Sequence, residues 1–189
     1  LRSKSAMHVS TAIDAHSGAL VARNRYSAEF GAYVAFLHTG ESFQSSTCDR
    51  TEFIGRNGTL RRPAAMRQLR LSGRSGAAMD PCAAIQVPFE LAEGQEREIV
   101  FRLGVARDAD EGHRLIDRFR GSGGAREALG GVHRYWRNAL GTVQVSTPEP
   151  ALDVLANGWL PYQTLACRVW GRSGYYQSGG AFGFRDQLQ

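Results

Sequence analysis

The residues best suited to chemistry lie near the end of the chain, in the segment AFGFRDQLQ at 181–189. It places Arg185 directly before Asp186 and adds two amide side chains. A carboxylate can accept hydrogen bonds from vicinal sugar hydroxyls, and a neighbouring guanidinium can hold that carboxylate or bind an anion. The alternative is an exposed ion pair that contributes little to stability. The pair therefore indicates a candidate carbohydrate site.

The preceding segment, NGWLPYQTLACRVWGRSGYYQSGG at 157–180, is rich in flat rings and hydrogen-bonding groups. Aromatic faces can stack on sugar rings, and amides and hydroxyls can bind sugar hydroxyls. The side chains of these kinds are Tyr162, Trp170, Tyr175, Tyr176, Gln163, Gln177 and Ser178. Alternatively, Trp159, Tyr162 and Trp170 belong to a helix core, an interpretation that we favour for the two tryptophans.

A third polar segment is CDRTEFIGRNGT at 48–59, where charged and amide side chains crowd around a predicted turn. They are Asp49, Arg50, Glu52, Arg56 and Asn57. The favoured interpretation is a loop whose charges pair with one another in solvent. The dipeptide Asn57–Gly58 is typical of a turn with positive φ.

Other classes of chemistry find little support in the sequence. The five histidines and three cysteines lack metal-ligand spacing, so no metal is expected. Nucleotide-binding and serine-hydrolase motifs do not occur. The net charge of +5 comes almost wholly from arginine, and one basic cluster lacks the spaced aromatics of a nucleic-acid binder. That cluster comprises Arg56, Arg61, Arg62, Arg67, Arg70 and Arg74.

The elements that must position these residues change in character along the chain. Up to about residue 40, short apolar bursts separated by turn residues predict strands, with a tight turn at His16–Gly18. Further strands are predicted in CAAIQVPFELAEG and EREIVFRLGVA, joined by a hairpin at Ala92–Gln95. The second of these segments shows the period-2 pattern of a half-buried strand, in which Ile99, Phe101 and Leu103 alternate with Val100, Arg102 and Gly104. Residues 1–106 are therefore predicted to form an antiparallel β-sandwich.

Helices are predicted after residue 106. Asp108 or Asp110 can cap a first helix, and a glycine-rich break at Gly121–Gly124 separates it from a second. These two helices form a predicted linker over 107–147. Pro150 suits the first turn of a third helix, which could bend at Gly158 or Pro161. The predicted class is α+β, with more than one domain. Ordinary fractions of apolar (42%) and charged (22%) residues fit a folded chain, and its apolar runs are shorter than the ~20 residues of a membrane helix.

The 157–189 segment, with DRTEFIGRNG at 49–58 and DPCAAIQV at 80–87, resembles the glycan phosphorylases of glycoside hydrolase family 94, formerly glycosyltransferase family 36. It is most similar to the phosphorylase-type domain found in the cyclic β-1,2-glucan synthase branch. The resemblance runs from about residue 6 to the end. It implies a β-sandwich domain, of which residues 1–106 would be the C-terminal part, then a helical linker and an (α/α)6 barrel. Residues 148–189 would be the start of that barrel, with its first helix.

The resemblance also implies roles for individual residues. Asp186 matches the aspartate that binds the glucosyl unit on the non-reducing side of the cleaved bond, and Arg172 matches the arginine that contacts phosphate. Arg185, Gln177 and Tyr176 are expected to bind substrate. Gly180 stands where disaccharide phosphorylases of the family have an arginine, which favours the long-chain β-1,2-glucan branch.

The implied reaction is inverting phosphorolysis of a β-glucosidic bond, or its reverse, with inorganic phosphate as co-substrate and no cofactor. The expected partners are a β-glucan oligosaccharide and phosphate, without nucleic acid. The general acid is expected downstream of Gln189. We therefore interpret the chain as an inactive interior piece of a longer enzyme. The alternative is a non-catalytic carbohydrate-binding β-sandwich module.

The expected compartment is the cytoplasm, or the cytoplasmic face of the inner membrane if the longer protein is a cyclic glucan synthase. We expect no membrane contact from this segment, although the longer protein could be anchored elsewhere. The resemblance also allows a homodimer.

Overall fold

The structure is a computed structural model that describes residues 7–42 and 44–170, without the side chains of residues 167 and 168. Its contacts divide the chain into two compact units, Leu1–Ala128 and Leu129–Gln189. The division falls within one long helix.

A four-stranded antiparallel sheet forms the larger part of the N-terminal unit. Its strands are β1 (Val9–Ile13), β2 (Leu20–Asn24), β3 (Val34–Thr39) and β6 (Phe101–Ala106), in the order β1-β2-β3-β6. The amide of Gly18 donates to the carbonyl of Asp14 at 2.8 Å and closes the β1–β2 turn. Gly18 has φ +71°, which favours glycine. The predicted early strands and their turn are therefore confirmed.

A separate two-stranded antiparallel sheet pairs β4 (Ser45–Asp49) with β5 (Pro81–Gln86). The predicted hairpin between β5 and β6 is wrong. The turn itself exists, since the Gln95 amide donates to the Ala92 carbonyl at 3.1 Å and Gly94 has φ +76°. However, β5 pairs with β4 and β6 pairs with β3, because the pairing is decided by distant segments rather than by the turn.

The segment after β4 forms a short helix, α1 (Arg50–Ile54), which Asp49 caps by accepting from the Thr51 amide at 2.8 Å. The predicted positive φ at Asn57–Gly58 is wrong, because the left-handed residue is Gly55 at φ +89°. Gly58 is required for space instead. A Cβ there would lie 1.8 Å from the Ile54 carbonyl oxygen.

The main core lies between the sheet and α2 (Ala109–Arg118), where Ala19, Phe36, Ala106 and Ile116 are buried together. Asp108 caps α2 as predicted, accepting from the Glu111 amide at 2.8 Å. A smaller core packs beneath β5 and the 3₁₀ turn Ala64–Arg67, and its buried residues are Ala65, Leu71 and Ala84.

Strand β6 shows the predicted alternation, but its large apolar residues face outwards. Phe101, Leu103 and Val105 are 50%, 81% and 61% exposed, whereas Arg102 and Ala106 are buried. The small residues on the inner face make room for Phe36, since a Cβ at Gly104 would lie 2.5 Å from the ring.

Two helical segments make up the rest of the described chain. The first is α3 (Gly121–Leu140), which is separate from α2 as predicted. The predicted position of the break is wrong, because it lies between Arg118 and Gly121, and Gly121–Gly124 form the first turn of α3. The second runs through α4 (Pro150–Val154), a π-helical turn (Leu155–Trp159), α5 (Leu160–Gln163) and a π-helical segment (Thr164–Trp170). Pro150 occupies the first turn, as predicted. Near Gly158 and Pro161 the helix changes its hydrogen-bond spacing and continues.

Candidate functional site

The residues with predicted roles in binding lie outside the described residues. They are Arg172, Tyr176, Gln177, Arg185 and Asp186, together with Tyr175, Ser178 and Gly180. The structure describes the helical segment that leads to them, as far as Trp170.

Five aromatic side chains form a connected cluster in the C-terminal unit. Trp136 of α3 lies 4.9 Å from Tyr162 and 5.5 Å from Trp170, measured between ring centroids. Tyr135 contacts Trp170 at 5.9 Å, and Trp159 contacts Tyr162 at 6.0 Å. Tilted contacts at these distances are favourable aromatic geometry. The cluster therefore gathers rings that are far apart in sequence into one surface.

The tryptophans of this cluster on the second helical segment are not buried in the structure. Trp159 is 56% exposed and Trp170 is 53% exposed. The interpretation of both as helix core is therefore wrong for the described part of the chain. Exposed indole faces can stack on a sugar ring or be covered by further protein, and both uses need the same flat surface.

The carboxylates of the polar segment at 48–59 join β4 and α1 to residues 72–74. Besides capping α1, Asp49 pairs with Arg74 at 2.7 Å. Glu52 accepts from the Ser72 amide at 2.8 Å and from the hydroxyls of Ser72 and Thr47 at 2.6 Å each. Burial tends to raise the pKa of Glu52, but these hydrogen bonds outweigh it and leave the pKa below its usual value. The favoured interpretation of a solvated loop is therefore wrong: Asp49 is buried, and both carboxylates bind groups outside the segment rather than its own charges.

A second polar group, which the sequence did not reveal, joins the β1–β2 turn to α2. Oδ2 of Asp14 accepts from the Ser17 amide at 2.8 Å, the Ser17 hydroxyl at 2.6 Å and His113 Nε2 at 2.9 Å. The His16 ring contacts the His113 ring in a tilted arrangement, at 5.0 Å between centroids. Asp14 and His113 are 99 residues apart, so no local spacing could have indicated the pair.

This group lies at a mostly apolar cavity of about 360 Å³ between the sheet and α2. Although burial opposes ionisation, the bonds from Ser17 and His113 lower the pKa of Asp14 to about 2. The Ser17 hydroxyl donates to a carboxylate whose low pKa makes it a weak base, and the His113 ring is bonded to that same oxygen rather than to the hydroxyl. The arrangement anchors the turn and is not built as a nucleophile–base pair.

Another cavity, of about 420 Å³, has polar walls and lies where β3 and β6 meet the start of α3. Arg102 is 8% exposed there. Its Nε donates to the Phe119 carbonyl at 2.6 Å and its Nη1 donates to His38 Nδ1 at 2.7 Å. Because Arg can only donate, His38 accepts at Nδ1 and is neutral. Burial and the adjacent Arg102 both lower the pKa of His38.

The thiols of Cys48 and Cys82 are poor candidates for nucleophiles. Burial raises the pKa of both, that of Cys82 to about 11, so they remain protonated at neutral pH. Within residues 7–42 and 44–170, no group of three or more His, Cys, Asp or Glu side chains is placed to hold a metal ion. No helix in this same part is both long and apolar enough to cross a membrane.

Comparison with known proteins places the two units in one family. Residues 1–122 match the glycosyl hydrolase 94 supersandwich domain, and residues 135–189 match the glycosyl hydrolase 94 superfamily catalytic domain. The first match covers more than half of the chain.

Curated relatives agree with these matches. The chain is 38% identical over 190 residues to the cyclic beta-(1,2)-glucan synthase NdvB of Rhizobium meliloti, covering 100% of this chain and 7% of that protein. It is 26% identical to the N,N'-diacetylchitobiose phosphorylase of Vibrio proteolyticus, covering 83% of this chain and 20% of that protein. It is 30% identical to the cellobionic acid phosphorylase of Neurospora crassa, covering 56% of this chain and 13% of that protein. The chain thus spans a fifth or less of each of these relatives, and it belongs to the glycosyl hydrolase 94 family.

Proposed function

We propose that the chain is part of an enzyme that acts on β-1,2-glucan by inverting phosphorolysis or glucosyl transfer. The observation that carries this proposal is the match to a cyclic β-(1,2)-glucan synthase along the whole chain, at 38% identity. The phosphorylases named above match shorter stretches or at lower identity. Gly180 supports the long-chain branch, because family members that use disaccharides resemble one another in having arginine there.

In the proposed reaction, phosphate attacks the anomeric carbon while a carboxylic acid protonates the leaving glucosidic oxygen. Phosphate thereby replaces the water and the general base of an inverting hydrolase. Arg172 would contact the phosphate, and Asp186 would bind hydroxyls of the glucosyl unit. Arg185, Gln177 and Tyr176 would complete the substrate contacts. The proton donor would lie beyond Gln189 in the longer protein.

We assign residues 1–106 to the sandwich, 107–147 to the linker and 148–189 to the start of an (α/α)6 barrel. The exposed aromatic cluster around Trp136 supports this assignment, because its rings provide an apolar surface that further barrel helices or a glucan chain would cover. The proposed partners remain a β-glucan and phosphate, and the compartment remains the cytoplasm or the cytoplasmic membrane face.

The full-length protein that contains this chain tests the proposal directly. Incubation with β-1,2-linked oligoglucans and phosphate is expected to release glucose 1-phosphate. An Asp186→Asn variant should lose this activity, whereas Glu93→Gln, in the exposed turn at 92–95, serves as a matched control. Turnover of cellobiose without turnover of β-1,2-oligoglucans would rule out the long-chain assignment.

A further inference from the structure

The polar cavity of the N-terminal unit contains a buried positive charge without an opposite partner. Among the described residues, no carboxylate lies within 4.0 Å of the Arg102 guanidinium. Both of its hydrogen-bond acceptors, the Phe119 carbonyl and the His38 ring, are neutral. A buried charge of this kind is costly unless an opposite charge compensates it.

The other charged side chains at the cavity are already paired. Arg120 lies 3.1 Å from Asp117, Glu41 pairs with Arg97, and Glu98 pairs with Arg126. Arg102 is therefore the charge at this cavity that lacks a counter-ion in the described structure. An anion in the cavity would supply one.

Two further groups at the same cavity have unused hydrogen-bonding capacity. Thr39 is 1% exposed, and its Oγ1 is buried without a partner in the described part of the chain. The same holds for Oε1 of Gln44. Since buried polar atoms are nearly always hydrogen-bonded, two orphans beside one cavity indicate a missing partner. A ligand that both accepts and donates would satisfy them.

The start of α3 borders the same cavity. Gly121 and Ser122 line the cavity and open a 20-residue helix. The first amides of a helix have no intrahelical partner and carry partial positive charge, which favours an oxyanion. No acidic residue in the first turn of α3 competes for them.

We propose that this cavity binds a phosphoryl group, either as inorganic phosphate or as a sugar phosphate monoester. The phosphoryl oxygens accept from Arg102, the Thr39 hydroxyl and the start of α3. A protonated phosphoryl oxygen, or a sugar hydroxyl, donates to Gln44 Oε1. A neutral sugar would leave the Arg102 charge uncompensated, which is why the phosphoryl group is the part that is recognised.

Calorimetric titration of the 189-residue chain tests the site with three ligands: inorganic phosphate, glucose 1-phosphate and glucose. Phosphate or glucose 1-phosphate should bind, and glucose alone should not. Binding of both anions indicates recognition of the phosphoryl group by itself, whereas binding of glucose 1-phosphate alone indicates that the sugar contributes. Equal binding of glucose would overturn the proposal, and so would no binding of either anion at millimolar concentrations.

Matched variants locate the binding. Arg102→Met should weaken it by roughly tenfold or more, because a charged hydrogen bond is lost. Its control is Arg67→Met on the exposed end of the 3₁₀ turn. If Arg102→Met fails to fold, the affinity of Thr39→Val for phosphate is measured instead, with Thr59→Val at an exposed position as its control.

Thr39→Val also separates binding from a structural role. Because the Thr39 hydroxyl has no partner in the protein, the variant should keep its melting temperature without ligand and lose the shift that phosphate causes. A drop in melting temperature with an unchanged phosphate shift would overturn the proposal. Binding that disappears in Arg172→Met but persists in Arg102→Met would place the phosphate elsewhere and would equally refute it.

Discussion

Individual side chains in the N-terminal unit act through partners that are distant in sequence. His38 and Arg102 are 64 residues apart, and Asp14 and His113 are 99 apart. Each pair joins a strand or strand turn to another element by hydrogen bonds in a partly buried setting. Such bonds are more valuable than exposed ones because water competes less for the groups. Stability and its pH dependence should therefore concentrate at these few residues.

The Asp14 anchor should make stability depend on acid pH. The pKa of Asp14 is about 2 in the folded chain, against an ordinary value of 3.8. Its contribution is therefore complete above pH 3.8 and disappears as the pH falls through 2. Asp14→Asn should lower the free energy of unfolding at pH 6 by on the order of 1 kcal/mol, since partial exposure weakens the anchor.

Urea unfolding at pH 6 and at pH 2.5 measures this effect. The difference between wild type and Asp14→Asn should shrink at the lower pH, and Glu93→Gln should show little difference at either. A difference that is as large at pH 2.5 as at pH 6 would contradict the assigned role of the ionised carboxylate.

Close approach of backbone to an aromatic ring should make Gly104 intolerant of substitution. A Cβ there would lie 2.5 Å from Cζ of Phe36, at the centre of the main core. Gly104→Ala should lower the free energy of unfolding by about 1–3 kcal/mol, as overpacking does. Gly123→Ala is the matched control, because nothing lies within 4 Å of its Cβ position in α3 and alanine favours helix.

Thermal unfolding of the two glycine variants distinguishes packing from backbone preference. Gly104→Ala should melt at a lower temperature than wild type, and Gly123→Ala at the same or a higher temperature. Partial recovery in Gly104→Ala combined with Phe36→Leu would identify the ring as the obstacle. An unchanged melting temperature for Gly104→Ala alone would show that the ring moves aside freely.

At the scale of elements, local signals were predictable and long-range pairing was not. The first three strands follow from apolar bursts between turn residues, and α2 follows from the capping residue Asp108 and its apolar spacing. The partners of β5 and β6 were missed because strand pairing depends on segments up to 72 residues away, as between Val34 and Ala106. The second helix was predicted to begin after Gly124, and its first turn at Gly121–Gly124 was missed because glycine disfavours helix.

The candidate site likewise has one part that the sequence indicated and another that it did not. Segment similarity identified the family, and the binding residues assigned through it stay predictions, whereas the cavity around Arg102 could not be inferred from residue spacing. The walls of this cavity come from β3, β6 and the start of α3. The evidence for an anion there is that Arg102 lacks a counter-ion among the described residues, which only the three-dimensional arrangement reveals. The exposure of Trp159 and Trp170 could not be predicted from the sequence either, because it depends on which other elements cover the helix.

The second helical segment should promote association through its apolar face. Val154, Leu155, Trp159 and Val169 are all exposed in the described structure. A contiguous apolar patch of this kind commonly leads to contact between molecules. We expect the 189-residue chain to gain mass with concentration in sedimentation or light scattering. Val154→Lys should shift it towards the monomer, because the charge must be desolvated in the contact.

Val143→Lys is the matched control for that experiment, since Val143 is similarly exposed but precedes the segment. It should associate as wild type does. A chain that remains monomeric at all concentrations, or a Val143→Lys variant that dissociates as fully as Val154→Lys, would show that this helical face does not mediate the contact.

At the scale of the whole molecule, the chain matches a supersandwich domain over residues 1–122 and a catalytic domain over residues 135–189, and it spans a fifth or less of the relatives compared. The proposed roles then fall on different sides of Gln189: binding residues before it and the proton donor after it. A general acid typically contributes 10²–10⁴-fold to such a reaction. Binding residues alone should therefore leave almost no turnover.

The 189-residue chain should consequently release no glucose 1-phosphate from β-1,2-oligoglucans and phosphate, while the full-length protein does. A coupled assay for glucose 1-phosphate measures both, and the Asp186→Asn variant of the chain sets the background. Because phosphate held at the Arg102 cavity does not contact the glucosidic bond in this proposal, binding without turnover is the expected combination. Release above the Asp186→Asn background would mean that a proton donor lies within residues 1–189, and the division of labour proposed here would be wrong.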